Sequence, residues 1–391
     1  MAAADRPATA IVGDIVERAR RIGEDAAGPA AVDVDRHARF PIEAVDAMRD
    51  AGLLSTLIPV GLGGTAASLA DVSAAVAALG RYCASTAMVF AMHQIQVACM
   101  VRHGDTPLIR DYLRELADRQ LLLASATTEV GIGGDVRTSG CAVEADGPRF
   151  RLEKNAGVIS YGENADAVLA TARRTPDSAP NDQVLVLCRA PGLTLEPTTG
   201  WDTLGFRGTC SLGFRLVATD DIGCVLPVPF ADISSQTMLP VSHILWSSVW
   251  LGLAAAAVAK ARQYVRAEAR KKPGTTPPAA LRLAELMPIF QQLEDAVTGA
   301  ATTFDELADD PDALAGIGFA IAMNGLKVSA STLVVDIVGR AMVICGMAGY
   351  REDSEYSLGR LLRDAHGAAL MINNDRINAN SAQMLLIHRG E

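Results

Sequence analysis

The sequence predicts an α+β chain in three parts: an all-helical block, a small all-β block and a second all-helical block. Three observations carry that prediction. Residues 8 to about 125 follow helical patterning with recognisable starts and stops. From about 126 to 228 short β-rich runs take over, with Gly, Pro, Asp and Asn between them at intervals of roughly ten residues. Beyond Phe230 the helical texture returns and runs to the end. The implied domains are an N-terminal α-helical domain at residues 1–125, a middle β-domain at 126–229 and a C-terminal helical bundle at 230–391.

Each block has its own punctuation. "FPIEAVDAMRDAGLL" enters a helix at Pro41 and stops at Gly52. "SLADVSAAVAALGRYCASTAMVFAMHQIQVACMVRHG" gives two long helices, the second apolar on most faces. The β runs are "CAVEAD", "RFRLEKNAGVIS", "AVLATAR", "QVLVLCR", "LTLEPTT" and "SLGFRLVA", as a small sandwich or barrel requires. In the last block only "KKPGTTPPA" is too rich in Pro and Gly for helix interior. The longest uncharged run, Ile244 to Ala259, falls short of the ~20 residues that span a bilayer, so no membrane span is expected. It reads as a helix buried on nearly all sides, apolar enough to imply a subunit contact over part of the bundle.

Composition bounds the function. The chain has 391 residues, half of them hydrophobic and a fifth charged, which describes a globular protein with a large core. A formal charge of −10 argues against nucleic acid, whose phosphates need a basic face. Seven scattered cysteines without a CxxC pair read as reduced thiols of a cytoplasmic protein, with no zinc site. The N-terminus lacks the apolar core of a signal peptide.

Six short motifs then fall in one order. They are Gly52-Leu53-Leu54 with Pro59 and Gly63-Gly64; "TEVGIGGD" at Thr128 to Asp135; and "ISYGENAD" at Ile159 to Asp166. "GFRGTCS" follows at Gly205 to Ser211, "RKKPG" at Arg270 to Gly274, and "GMAGYREDSEYSLGRLLRDA" at Gly346 to Ala365. Over nearly its whole length the chain thereby resembles the acyl-CoA dehydrogenase superfamily of flavoproteins. The resemblance implies an N-terminal helical domain, a central β-domain and a C-terminal four-helix bundle, usually assembled as a homotetramer, with a homodimer as the other expectation.

The motifs also make physical sense unaided. The glycines after Thr128 let backbone N–H groups approach a flat ligand without an intervening Cβ. The resemblance implies that Thr128, Gly133 and Gly134 line the flavin, that Ile159 and Ser160 lie beside its N5 edge, and that Gly346 belongs to the same site. Arg270 would reach the flavin phosphates of a neighbouring subunit; by composition alone it is a surface charge. Val158 replaces a common Trp and Pro273 an aromatic residue. Trp201, Arg207 and Thr209 fit the β-domain motif and equally well fit core packing.

The family's dehydrogenases desaturate an acyl thioester by proton abstraction and hydride transfer to flavin N5, which needs a carboxylate kept basic by desolvation. That Glu usually sits nine residues after the Arg of "RDA", which here is Ile372. A minority place it on an earlier helix, around Ser242-His243, again without an acid. The displaced Asp375 is the candidate base. The leading expectation is an FAD-dependent acyl-CoA or acyl-carrier-protein dehydrogenase working with an electron acceptor. The alternative is a monooxygenase on the same fold taking reduced FMN from a flavin reductase, with His366, His93 or His243 beside Ser160. In either case His93 and His243 are candidates for the substrate side. A third reading is a flavin-binding or flavin-free member without redox turnover.

Overall fold

In a computed structural model, which describes residues 8–132 and 136–389, the chain begins with six helices. These are α1 (Ala8–Ile22), α2 (Gly28–His37), α3 (Ile42–Asp50), α4 (Leu69–Gly80), α5 (Ala84–His103) and α6 (Pro107–Arg119). The starts follow local chemistry. Ser68 and Asp71 form a reciprocal capping box on α4, and Thr106 caps α6 with Pro107 in its first turn. The helical pattern assigned up to about 125 ends earlier, because Gln120 turns left-handed (φ 52) and a strand starts at Leu123.

Seven strands follow: β1 (Leu123–Ala126), β2 (Glu144–Asp146), β3 (Arg149–Ile159), β4 (Ala167–Arg173), β5 (Gln183–Arg189), β6 (Leu193–Thr199) and β7 (Leu212–Asp221). They form two sheets, one ordered β1-β4-β5 and one ordered β2-β3-β7-β6. β1 runs parallel to β4, and the other pairings are antiparallel. β4 is buried along nearly its whole length, whereas β3 alternates, with Phe150, Leu152 and Ala156 inward and Arg149, Arg151 and Glu153 outward.

The C-terminal region contains α7 (Phe230–Ile233), α8 (Leu239–Lys271), α9 (Pro278–Glu306), α10 (Pro311–Leu314), α11 (Ile317–Cys345), α12 (Met347–Tyr350), α13 (Gly359–His366) and α14 (Asn374–Leu385). α8, α9 and α11 pack side by side, α13 and α14 close against α11, and α4 lies against α8 and α9. The approach of α4 to α8 is backbone to backbone. A Cβ on Gly252 would sit 2.3 Å from the Ala77 carbonyl and 2.8 Å from the Gly80 Cα. The Asp305 carboxylate of α9 accepts the Leu69 and Ala70 N–H groups at 2.8 Å each, capping α4 from a distant part of the chain.

Two expectations about α8 change. The uncharged run lies inside a helix of 33 residues, long enough to cross a bilayer. Its apolarity is explained by burial, since 94% of the most apolar window is covered within the fold. For the same reason α8 gives no argument for a subunit contact. The apolar surface left open is on α11, whose window is only 44% buried, with Val343, Met347 and Tyr350 exposed at its end and just beyond.

Candidate functional site

The site is built where the ends of β1 and β3 meet the loop before β7. The Thr128 hydroxyl donates to the Val158 carbonyl at 3.1 Å, tying the segment after β1 to the end of β3. Next to it Glu129 accepts the Gly140 and Cys141 N–H groups and pairs with Lys154 Nζ at 3.2 Å. Lys154 is fully buried on β3 and also donates to the Thr171 carbonyl at 2.9 Å. A buried ion pair of this kind holds only when its remaining donors and acceptors are met, as here. It anchors the loop that follows, including Gly131, where φ is +97 and a Cβ would meet nothing within 4 Å. Gly133 and Gly134 lie outside the described residues.

Ser160 stands just past β3, almost fully buried. Its Oγ lies 2.8 Å from Ser211 Oγ, and Ser211 Oγ lies 2.8 Å from Thr209 Oγ1. Thr209 Oγ1 donates to the Phe206 carbonyl at 2.9 Å, which Trp201 Nε1 also reaches at 3.1 Å. Thr209 and Trp201 thus support the loop. Phe206 is left-handed (φ 50), and its N–H is accepted by Asp364 on α13 at 2.7 Å. Asp364 is buried, which pushes its carboxyl up to about 6 even with Arg360 close by. The loop comes so near that a Cβ on Gly205 would sit 2.3 Å from the Arg363 carbonyl. Arg363 in turn pairs with Asp35 at 2.9 Å, and Arg207 donates to the Asp35 carbonyl at 2.9 Å.

The second wall is the turn between α13 and α14. Ile372 is half exposed with φ +44, a conformation that strains a β-branched side chain. Lys327, fully buried on α11, holds this turn. Its Nζ donates to the Ile372 carbonyl at 2.8 Å and to Asn374 Oδ1 at 2.7 Å, and Asn374 Nδ2 reaches Ser331 at 3.0 Å. Burial lowers the Lys327 ammonium to about 8.

The structure brings Thr128 and Ser160 together through β3 and separates the other candidates. Ile159 is fully buried, so only its backbone can meet a ligand. His93 is a core residue with both ring nitrogens engaged: Nε2 faces the Leu54 carbonyl at 2.7 Å and Nδ1 accepts the Leu123 N–H at 3.0 Å. His243 is buried with Nδ1 on the Met323 carbonyl at 3.0 Å. Burial lowers both imidazoles to about 4, so each is neutral at pH 7 and serves packing rather than the substrate role assigned to it. His366 is exposed at the end of α13. Asp375 is also exposed, in the first turn of α14, where its own N–H is capped by Asn373. Within this chain nothing desolvates that carboxylate, which removes the reason for choosing it as the base. Arg270 is exposed near the end of α8, and Gly346 ends α11 with φ +57 and open space at its Cβ position.

Sequence reasoning passed over Lys327, Ser211 and Asp364. A lysine inside the apolar run "AIAMNGLKVSAS" was a readable signal, because a charge on a buried helix needs partners. Ser211 and Asp364 carried no such signal.

The residues fit a flat, partly buried ring: an open glycine turn with φ above zero on one side, a buried hydroxyl chain at the edge, and half-exposed Ile372 opposite in sequence order. Comparison with known proteins agrees with this geometry. The acyl-CoA dehydrogenase N-terminal domain matches residues 13–120 and the acyl-CoA dehydrogenase C-terminal domain matches residues 234–373. The chain belongs to the acyl-CoA dehydrogenase superfamily. It is 27% identical to the amino sugar nitrososynthase DnmZ of Streptomyces peucetius, covering 87% of this chain and 84% of the relative. It is 26% identical to a cyclohex-1-ene-1-carbonyl-CoA dehydrogenase of Syntrophus aciditrophicus, covering 90% and 84%. Its fold is similar to that of FMN-bound TdsC from Paenibacillus sp. A11-2, with a TM-score of 0.83, 19% identity and coverage of 97% and 98%. The superfamily assignment makes the protein a flavin-family oxidoreductase; its relatives divide between dehydrogenases and oxygen-using enzymes.

Proposed function

We propose that this chain takes up an already reduced flavin, with FMN the first to test, and uses oxygen to oxidise a small molecule. The observation that carries the reading is the chemistry of the two seats expected for a base. Ile372 occupies one, Ser242 and the core-bound His243 the other, and Asp375 is solvated. A weakly acidic carbon proton needs a desolvated carboxylate nearby, and none of these residues supplies one.

In this reading Thr128, the Ile159 backbone and Ser160 hold the ring edge, Gly131 and Gly346 leave room for the backbone to approach, and Arg270 of a second copy meets the phosphate. Bound flavin would supply two-electron redox chemistry and the reaction with oxygen. The chain's own part is positional. Lys327 fixes the 372–374 turn so that Ile372 presents hydrocarbon to the site and excludes water. We also infer that copies associate through the open apolar face of α11, since a contiguous exposed patch of this kind is usually covered by a partner.

The acyl-thioester dehydrogenase is the second reading, favoured by the similarity to the cyclohexenecarbonyl-CoA enzyme along 90% of the chain. Anaerobic mixing separates the two. Purified protein loaded with oxidised flavin should not bleach with acyl thioesters, while protein given a flavin reductase, reductant and oxygen should form oxidised product. Rapid bleaching by a thioester without oxygen would overturn the proposal and restore the dehydrogenase.

A further inference from the structure

The three hydroxyls at the site can carry their protons in one arrangement only. A hydroxyl has one hydrogen to donate and two lone pairs to accept. The Phe206 carbonyl can only accept, so Thr209 gives its proton there, at 2.9 Å. Thr209 Oγ1 is then the acceptor at its 2.8 Å contact with Ser211, and Ser211 spends its proton on Thr209. Ser211 must therefore accept at its 2.8 Å contact with Ser160, and Ser160 is the donor there. The Ser160 proton points inward, and what Ser160 turns outward is a lone pair. All three side chains are buried, with relative exposures of 8%, 5% and 3% for Ser160, Ser211 and Thr209, so water does not scramble the order.

We propose that Thr209 and Ser211 are positioning residues that make Ser160 a hydrogen-bond acceptor, so that the site selects reduced flavin over oxidised flavin. The inference rests on the reading that a flavin ring edge meets Ser160. Oxidised flavin carries no hydrogen at N5 and asks for a donor; reduced flavin carries an N–H there and asks for an acceptor. Turning Ser160 around to serve the oxidised form would break the bond to Ser211 and leave a buried lone pair unmet, a penalty on one redox state only.

The test is a comparison of FMN affinity in its two redox states, by anaerobic fluorescence titration, together with the midpoint potential of the bound flavin. The parent should bind reduced FMN at least about tenfold more tightly than oxidised FMN, equivalent to a bound potential about 30 mV above that of free FMN for a two-electron couple. Ser211→Ala frees the Ser160 proton to point outward, so the preference should shrink by about tenfold and the potential fall accordingly. Thr209→Val should act in the same direction, because Ser211 loses the acceptor that fixes it. Ser211→Thr keeps the hydroxyl and should keep the preference, which a merely structural role would not distinguish. Equal affinity for both states in the parent, or an unchanged ratio in Ser211→Ala with flavin still bound, overturns the inference alone. Failure of the parent to bind FMN in either state overturns the flavin reading beneath it.

Discussion

Asp364 accepts the main-chain N–H of Phe206 at 2.7 Å, linking α13 to a loop 158 residues earlier in the chain. The same peptide unit then receives the Thr209 hydroxyl on its carbonyl side. One buried carboxyl therefore holds the base of the hydroxyl chain, and its ionisation becomes a property of the fold.

Its folded pKa, about 6, lies above the ordinary 3.8, because burial outweighs the help from Arg360 and Arg363. The native chain binds this proton more tightly than the unfolded one. The stabilising contribution is therefore full below about pH 4 and is lost as pH rises through 6. Asp364→Asn keeps an acceptor for Phe206 and removes the ionisation. Urea unfolding should show the variant more stable at pH 7.5 by up to roughly 3 kcal/mol, with no gain at pH 4. Equal stability at both pH values would contradict the assignment.

His93 and His243 act in the opposite sense. Both are held neutral, with pKa values lowered to about 4 from 6.5. Their contribution is full above pH 6.5 and disappears as pH falls towards 4. Acid unfolding of the Asp364→Asn variant should be steeper than that of the parent across this range, since the opposing carboxyl is gone. Circular dichroism against pH reads this directly.

Asp375→Asn should change oxygen-dependent turnover by less than about twofold, because the carboxylate is solvated. A positioned base would lose on the order of 10²–10⁴-fold. A loss in that range, measured by oxygen uptake, would return Asp375 to the reaction. The converse variant, Ile372→Glu, places a carboxylate at the family's usual seat and should confer measurable bleaching by an acyl thioester.

Lys327→Met removes two donors at once and leaves the Ile372 carbonyl and Asn374 Oδ1 without their partner. At about 1–3 kcal/mol for each group left unmet, the turn should open locally. Hydrogen exchange should rise over residues 370–374, while α5 and α8 remain protected. Unaltered exchange there would mean that the lysine does not hold the turn.

Gly252→Ala brings a methyl group within 2.3 Å of the Ala77 carbonyl. Overpacking of this kind costs about 1–3 kcal/mol, so the melting temperature should fall by several degrees. An unshifted melting curve would show that α4 and α8 can separate freely.

Much of the architecture was legible because each block imposes its own period. The alternation of Phe150, Leu152 and Ala156 with charged neighbours and the caps at Ser68 and Thr106 are local signals that the structure repeats. The break at Gln120 was missed because a left-handed Gln has no sequence mark of the kind a glycine gives. The site was less legible, and the histidines show why. His93 and His243 look chemically interesting in sequence, but their partners are the carbonyls of Leu54 and Met323, and backbone partners leave no trace in side-chain identity. Lys327 and Ile372 lie 45 residues apart and are joined by a carbonyl, so the contact is invisible until the fold forms.

The meeting of α4 with α8 at Gly80 and Gly252, and the Asp305 cap on α4, also set an order of events during synthesis. α4 ends at residue 80, yet its packing surface and the carboxylate that closes its first turn come from helices beginning at Leu239 and Pro278. At about 5–20 residues per second the ribosome needs on the order of ten seconds or more to deliver them. Through that interval Leu69, Val72, Val76 and Leu79, all buried in the finished fold, lack their α8 and α9 partners. The β block emerges meanwhile and can pair its own strands. The nascent N-terminal helices are therefore the segment for which a holding chaperone matters most, and slow translation past residue 230 should lower the soluble yield.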